Sequence, residues 1–158
     1  MFRNMRRFKQ QISDEECKRI LVKEKRGVLS VLGDDGYPYG MPLNHYYDEK
    51  ENVLYFHGAK EGHKIDAIKK CDKVSYCVYE NGVKKEGHWS LDVRSVICFG
   101  KMSIIVDLDK CIEISKNIWW KFGSDEKELE EEINNSSSRV MCLKLEIEHM
   151  TGKMVNEA

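Results

Sequence analysis

Apolar positions along this chain repeat with two periods, and the switches between them outline its elements. Cys17, Ile20 and Leu21 recur at helical spacing. Ahead of them, Ser13-Asp14-Glu15-Glu16 has the form of a capping box, with Ser13 as N-cap and Glu16 at N3. Ile12 and Cys17 are placed to staple that end, and Gly27 stands where the helix would stop, so a first helix is expected over about 14–25. VLSVL (28–32) reads as a buried strand and GDDG (33–36) as its turn. Residues 37–47 read YPYGMPLNHYY. Each proline there forces its predecessor out of the α region, and two prolines bar a central, fully paired strand. The segment is expected at a sheet edge, or with a break where its backbone faces something else.

VLYFH (53–57) is the next strand, and 55–70, YFHGAKEGHKIDAIKK, passes from that strand through a glycine-containing turn into an amphipathic helix. VSYCVYE (74–80) is a strand, with Asn81-Gly82 as a hairpin turn after it. A long strand is expected over about 88–106, bent at Gly100. Cys111, Ile112, Ser115, Ile118, Trp119 and Phe122 recur at helical spacing, with Gly123 as the stop. An acidic helix over about 125–133 and an NNSSS loop (134–138) follow. In the last strand, about 140–150, Met141, Leu143, Leu145 and Ile147 alternate with Lys144, Glu146 and Glu148. Six strands joined mostly by turns too short for parallel crossovers predict a mainly β fold, an antiparallel barrel with peripheral helices. One domain, 1–158, accounts for the chain, without repeats.

Composition narrows the class. The 158 residues are 41% apolar and 34% charged, with a formal net charge of −1, so no general attraction to nucleic acid is expected. No run approaches the ~20 apolar residues that span a bilayer. MFRNMRRFKQQ at the start is basic but is followed by ISDEE, which is not the pattern of a secretory signal. Cys17, Cys71, Cys77, Cys98, Cys111 and Cys142 form no CxxC pair and no zinc spacing. Reduced, mostly buried thiols and a cytoplasmic protein are the expectation.

The turn in 55–70 carries the clearest candidate chemistry. A helix N-terminus presents unpaired N–H groups and the positive end of a dipole. Gly58 and Gly62 let the backbone come close to a ligand, and Lys60 and Lys64 converge on one point, an arrangement that suits a phosphate. Judged by residue types alone, a solvated turn with stray lysines fits the same stretch. GxGxxG and GxxxxGK[ST] are both absent. His45, His57, His63, His88 and His149 have no metal spacing. His57 and His63 flank the turn as candidates for a site, His149 reads as structural, and core packing is the first expectation for Trp119 and Trp120. No Ser-His-Asp or Cys-His constellation can be assembled.

HGAKEGHKIDAI, preceded by GYPYGMPLN and followed by VRSVICFGKM and LKLEIEHMTGK, resembles the pyridoxamine 5′-phosphate oxidase-like FMN-binding split barrels, in particular the 5-nitroimidazole reductase (nitroimidazole-resistance) branch. The resemblance runs from about Met5 to Met154. It implies a six-stranded antiparallel split barrel, a homodimer, and FMN bound between subunits. By the same resemblance Met41, Pro42, Leu43 and Asn44 run beside the flavin ring and offer it backbone groups. His57, Gly58, Ala59, Lys60, Gly62, His63 and Lys64 surround the phosphate, and Arg94 and Ser95 approach the ring or ribityl chain. Val93 and Gly87 depart from the common pattern, where an aromatic residue and a cysteine are frequent. The implied activity is an oxidoreductase that takes electrons from NADH or NADPH and passes them to a small-molecule acceptor such as a nitroaromatic. A pyridoxamine-phosphate oxidase, for which an arginine-rich C-terminal segment is expected and not found, and a non-catalytic flavin carrier or sensor are the alternatives.

Overall fold

The computed structural model of the protein describes residues 1–123, 125–129, 131 and 140–157. Among the described residues, three α-helices named below and eight antiparallel strands carry the fold. The helices are α1 (Asp14–Lys23), α2 (His63–Lys70) and α3 (Leu108–Trp120). The strands are β1 (Arg26–Leu32), β2 (Pro38–Asn44), β3 (Tyr46–Asp48), β4 (Val53–Ala59), β5 (Lys73–Tyr79), β6 (Val83–Lys84), β7 (Leu91–Ile105) and β8 (Val140–Glu157). Six are long, as expected, and β3 and β6 are short additions. They join in the order β2-β1-β5-β7-β8-β4-β3, with β6 on β7. The sheet curls until β2 approaches β4 without pairing with it, which makes an antiparallel barrel split along that line.

The prolines explain where the split lies. β2 pairs with β1 along its whole length, from Pro38 opposite Leu32 to Asn44 opposite Arg26, and with no other strand. An edge strand tolerates Pro38 and Pro42 because its outer N–H positions need no partner. The ladder stops at His45, and the chain resumes as β3 against β4.

Two apolar cores hold the sheet. Inside the barrel, Leu29, Leu54, Phe56, Tyr76, Val96 and Leu143 meet Cys17, Ile20 and Leu21 of α1 and Ile65 and Ile68 of α2. On the outside, Cys111, Ile114 and Ile118 of α3 cover Val53, Tyr55 and Cys142. β4 is therefore buried on both faces, which is why VLYFH shows no alternation. The capping box is formed, with the Glu16 N–H 3.2 Å from the Ser13 hydroxyl oxygen and the Ser13 N–H 3.2 Å from the Glu16 carboxylate.

Several boundaries differ from expectation. α1 ends at Lys23, and Gly27 lies within β1, where a Cβ would strike the Cys77 carbonyl. β7 starts at Leu91, because Asn81-Gly82 turns the chain into β6, which folds back on Leu91 and Asp92. The bend at Gly100 is a register shift between Phe99 and Gly100, at a point where any Cβ would collide with the Glu146 carbonyl. β8 continues past 150 to Glu157 because the first half of β7, Leu91–Phe99, needs His149–Glu157 as its partner. α3 buries Cys111, Ile114 and Ile118, while Trp120 stays 49% exposed and is not core. Of the expected acidic helix, residues 126–129 and 131 are helical and Asp125 is not; residues 130, 132 and 133 and the loop 134–138 lie outside the described residues. No described helix is long and apolar enough to cross a membrane. The six cysteines are unpaired thiols, with Cys17, Cys98, Cys111 and Cys142 buried.

Candidate functional site

β4 leaves the core at its C-terminal end. Leu54 and Phe56 point into the barrel, and His57-Gly58-Ala59 then emerges toward the loop that opens α2. The helix starts on Gly62, whose φ of 117° is a conformation that side chains disfavour. The Gly62 carbonyl accepts from the Ile65 and Asp66 N–H groups at 2.9 and 3.1 Å. No side chain caps this end, so the first N–H groups of α2 face outward at the positive end of its dipole. Ile65, Ala67 and Ile68 pin the helix to the barrel and fix where that end points.

Lys64 folds back from the first turn over β4. Its ammonium lies 3.0 Å from the position a Cβ on Gly58 would take, so the glycine leaves it room. Lys64 is half-buried, burial lowers its pKa, and among the described residues no hydrogen bond or ion pair offsets that burial. His57 is next to it: its imidazole is held below its ordinary value by the protein packed around it and by the Lys64 charge, although the residue keeps an exposed edge. Ala59, Lys60 and Gly62 are exposed along the same loop. His57, Gly58, Ala59, Lys60, Gly62 and Lys64 are thus brought to one end of the barrel around a half-buried cation. Such a cluster is equipped to receive an anion.

His63 is oriented differently. Its ring stacks on Tyr39 at 4.3 Å between centroids, and its Nε2 lies 3.4 Å from the Asp34 N–H and 3.5 Å from the Asp34 carboxylate. Lys70 reaches the same carboxylate at 3.0 Å and lowers its pKa. His63 and Lys70 therefore tie α2 to the β1–β2 turn. The sequence offered no signal for this pairing, which depends on the barrel bringing residues 34 and 63 together.

Met41 and Leu43 turn their side chains to the core, and Pro42 is exposed. What β2 can offer a ligand is its unpaired backbone edge, as expected of this segment. A groove of about 460 Å³ runs past Pro42, lined also by Lys23, Arg26, Val28 and Tyr79. Arg94 and Ser95 are not brought to the anion cluster within one chain. Cys142 pairs with His57 on one side and Ile105 on the other, whereas Ser95 pairs with Lys153. Along β8 the two places lie eleven residues apart, roughly 35 Å of strand contour. Arg94 is engaged with Glu80 at 3.5 Å.

A second polar cluster went unrecognised in the sequence. His45, fully buried at the β2–β3 break, has Nδ1 2.9 Å from the Tyr76 hydroxyl and Nε2 2.7 Å from the Leu21 carbonyl. The Tyr76 hydroxyl oxygen also lies 2.8 Å from the Leu43 carbonyl oxygen. Lys121, just beyond α3, places its ammonium 3.2 Å from the Leu21 carbonyl, 2.5 Å from that of Glu24 and 3.4 Å from His45 Nε2. Burial, joined by the Lys121 charge, pushes His45 down to about 3, and burial pushes Lys121 down to about 8.

Comparison with known proteins shows the family and the fold. A family model described as pyridoxamine 5′-phosphate oxidase matches residues 13–154. No curated protein sequence matches the chain. Among solved structures, one is a Bacteroides thetaiotaomicron VPI-5482 protein with the provisional description of a 5-nitroimidazole antibiotic resistance protein. It is 21% identical with a TM-score of 0.78, over 93% of this chain and 87% of that one. An FAD-binding protein from Mesorhizobium loti is 22% identical with a TM-score of 0.66, over 92% and 97%. The FAD-binding protein from Mycobacterium smegmatis is 16% identical with a TM-score of 0.60, over 93% and 98%. At these identities the likeness establishes the split-barrel fold.

Proposed function

The chain belongs to the pyridoxamine 5′-phosphate oxidase family, and on that premise we propose that it is a cytoplasmic, dimeric flavoprotein that holds FMN at the Gly58–Lys64 cluster and uses it as an NAD(P)H-dependent oxidoreductase of the nitroaromatic-reducing type. One observation carries this reading: a half-buried Lys64 ammonium without a partner among the described residues, set against a glycine at an uncapped helix N-terminus. An unpaired buried cation costs free energy, and a phosphate dianion there would offset that cost with charge-assisted hydrogen bonds. The donor set fits a phosphate monoester.

In this reading Lys64 and Lys60 neutralise the phosphate, the Ala59 amide and the first N–H groups of α2 donate to it, and His57 closes one side. The open edge of β2 at Met41–Asn44 lies along the ring, with backbone groups as its partners. Arg94 and Ser95 serve the site from a second copy, because their own chain holds them a strand length away. Bound flavin supplies the two-electron redox chemistry; the protein supplies position and electrostatics. The unpaired thiols agree with a reducing compartment.

The test is the visible spectrum of purified protein with added FMN, followed anaerobically. Bound flavin that NADH or NADPH bleaches, and that a nitroaromatic restores, is the expected result. Flavin that only dithionite reduces would replace the oxidoreductase with a carrier or sensor. Failure to bind FMN would remove the reading.

A further inference from the structure

The hydrogens around His45 do not suffice for every contact when the ring is neutral. Nε2 at 2.7 Å from the Leu21 carbonyl must carry a hydrogen, since two acceptors would not approach so closely. In a neutral imidazole Nδ1 is then an acceptor, and only the Tyr76 hydroxyl lies at 2.9 Å to supply it. That hydroxyl has one hydrogen, and the Leu43 carbonyl, at 2.8 Å, competes for it. A protonated ring changes the count. Nδ1–H donates to the Tyr76 oxygen, and the hydroxyl hydrogen is free for Leu43.

Burial holds the ring toward its neutral state, and the neighbouring cation adds to that bias. The Lys121 ammonium, 3.4 Å from Nε2, opposes a second positive charge on the ring. Other groups bias the pair from each packed element. The Glu24 carboxylate at the end of α1 favours the Lys121 charge, and Lys25 opposes it. Burial acts first on Tyr76 and a hydrogen bond from the Gly27 backbone second, with Cys98 in β7, Cys77 in β5 and Arg26 in β1 behind them. None is close enough to supply Nδ1 with a hydrogen. The Lys121 charge and the ring proton thus oppose each other, and the protonation of the ring decides which way the Tyr76 hydroxyl points.

We propose that His45, Tyr76 and Lys121 form a proton-directed positioning device for the flavin-facing strand: with the ring neutral the Tyr76 hydroxyl donates to His45, with the ring protonated it donates to the Leu43 carbonyl, and the Lys121 charge biases the ring toward the neutral form. Leu43 lies in the stretch of β2 assigned to the ring, so this consequence rests on the flavin reading. The three residues are positioning residues, acting through the β2 backbone. A change of charge at one end of the device alters the hydrogen bonding, and with it the set, of the Leu43–Asn44 peptide.

The experiment is an NMR titration of the full chain, following the His45 ring nitrogens and the Leu43 carbonyl carbon together. Lys121→Met removes the competing cation, and Lys121→Gln does so while keeping a donor for the α1 carbonyls. In either variant the ring midpoint should rise by at least about one pH unit, a roughly tenfold gain in proton affinity. The Leu43 carbonyl should move with that same midpoint. Tyr76→Phe, which keeps the edge-on packing against Phe56, should silence the carbonyl while the ring still titrates. A carbonyl that ignores the ring's titration, or a ring midpoint untouched by both Lys121 variants, would overturn the device. The same titration on FMN-loaded protein separates the two claims. A visible band that shifts with the carbonyl supports β2 beside the ring. An indifferent band with a responsive carbonyl overturns that placement and leaves the switch standing.

Discussion

The Lys64 ammonium occupies the space that a side chain on Gly58 would claim, 3.0 Å from the point where its Cβ would lie. The neighbour is the far end of a flexible chain, so Gly58→Ala is expected to displace the ammonium and spare the fold. Stability without cofactor should stay within ~0.5 kcal/mol of the native protein. FMN affinity should fall roughly tenfold, about 1.4 kcal/mol, because the charge is moved off the phosphate. Equilibrium dialysis and a denaturant melt on the same preparation measure both. A large stability loss with unchanged affinity would mean that the glycine serves strand packing alone.

Dimerisation is the second prediction. Tyr79, Ile97 and Phe99 are 57%, 36% and 37% exposed, and by register they share the outer face of β5 and β7. Arg94 and Ser95 adjoin that face, and the proposed dimer brings them to the anion cluster of the other copy. Sedimentation should give a homodimer, and Ile97→Glu should yield monomers that have lost most of their FMN. A monomer that binds FMN stoichiometrically would contradict this arrangement.

Acid stability is the third. Folded His45 is held at about 3 against an ordinary 6.5, so between those values the unfolded chain binds a proton that the folded chain refuses. Stability should therefore fall as pH drops through this window, by up to ~1.4 kcal/mol per unit. Lys121, held at about 8 against 10.5, works in the same sense at the other end, so stability should gain as pH rises from about 8 to 10.5. Urea unfolding across roughly pH 4.5–10, above the range in which most carboxylates protonate, reads both limbs. Lys121→Met should flatten the alkaline limb. Level stability from pH 6.5 to 4.5 would contradict the burial of a neutral His45.

These features were unevenly legible in the sequence. The capping box at Ser13 and Glu16, the proline-broken edge at 38–44 and the six long strands are local signals, written in adjacent residues. The gathering of Gly58, Lys60 and Lys64 at one end of the barrel was legible for a similar reason, since Gly58 to Lys64 is one short stretch. Gly27 looked like a helix stop because its actual constraint, the Cys77 carbonyl across the sheet, is fifty residues away in sequence. The extension of β8 was hidden because its need arises in β7. His45 gave no sign of its role: its partners Leu21, Tyr76 and Lys121 are 24, 31 and 76 residues distant. His63, placed by sequence at the phosphate, turns to Asp34 and Tyr39 once the barrel closes.

The most direct test of the account is Lys64→Ala, assayed with FMN and riboflavin in parallel. Removing one charge-assisted hydrogen bond typically costs ~1.5–3 kcal/mol, roughly a 10- to 150-fold loss of affinity. FMN should weaken by about that much. Riboflavin, which lacks the phosphate, should bind the native protein more weakly and be almost indifferent to the substitution. The fold should not suffer, because burial disfavours this ammonium in the folded state and its removal deletes no hydrogen bond among the described residues. Equal weakening of both ligands would contradict the account and place the anion elsewhere.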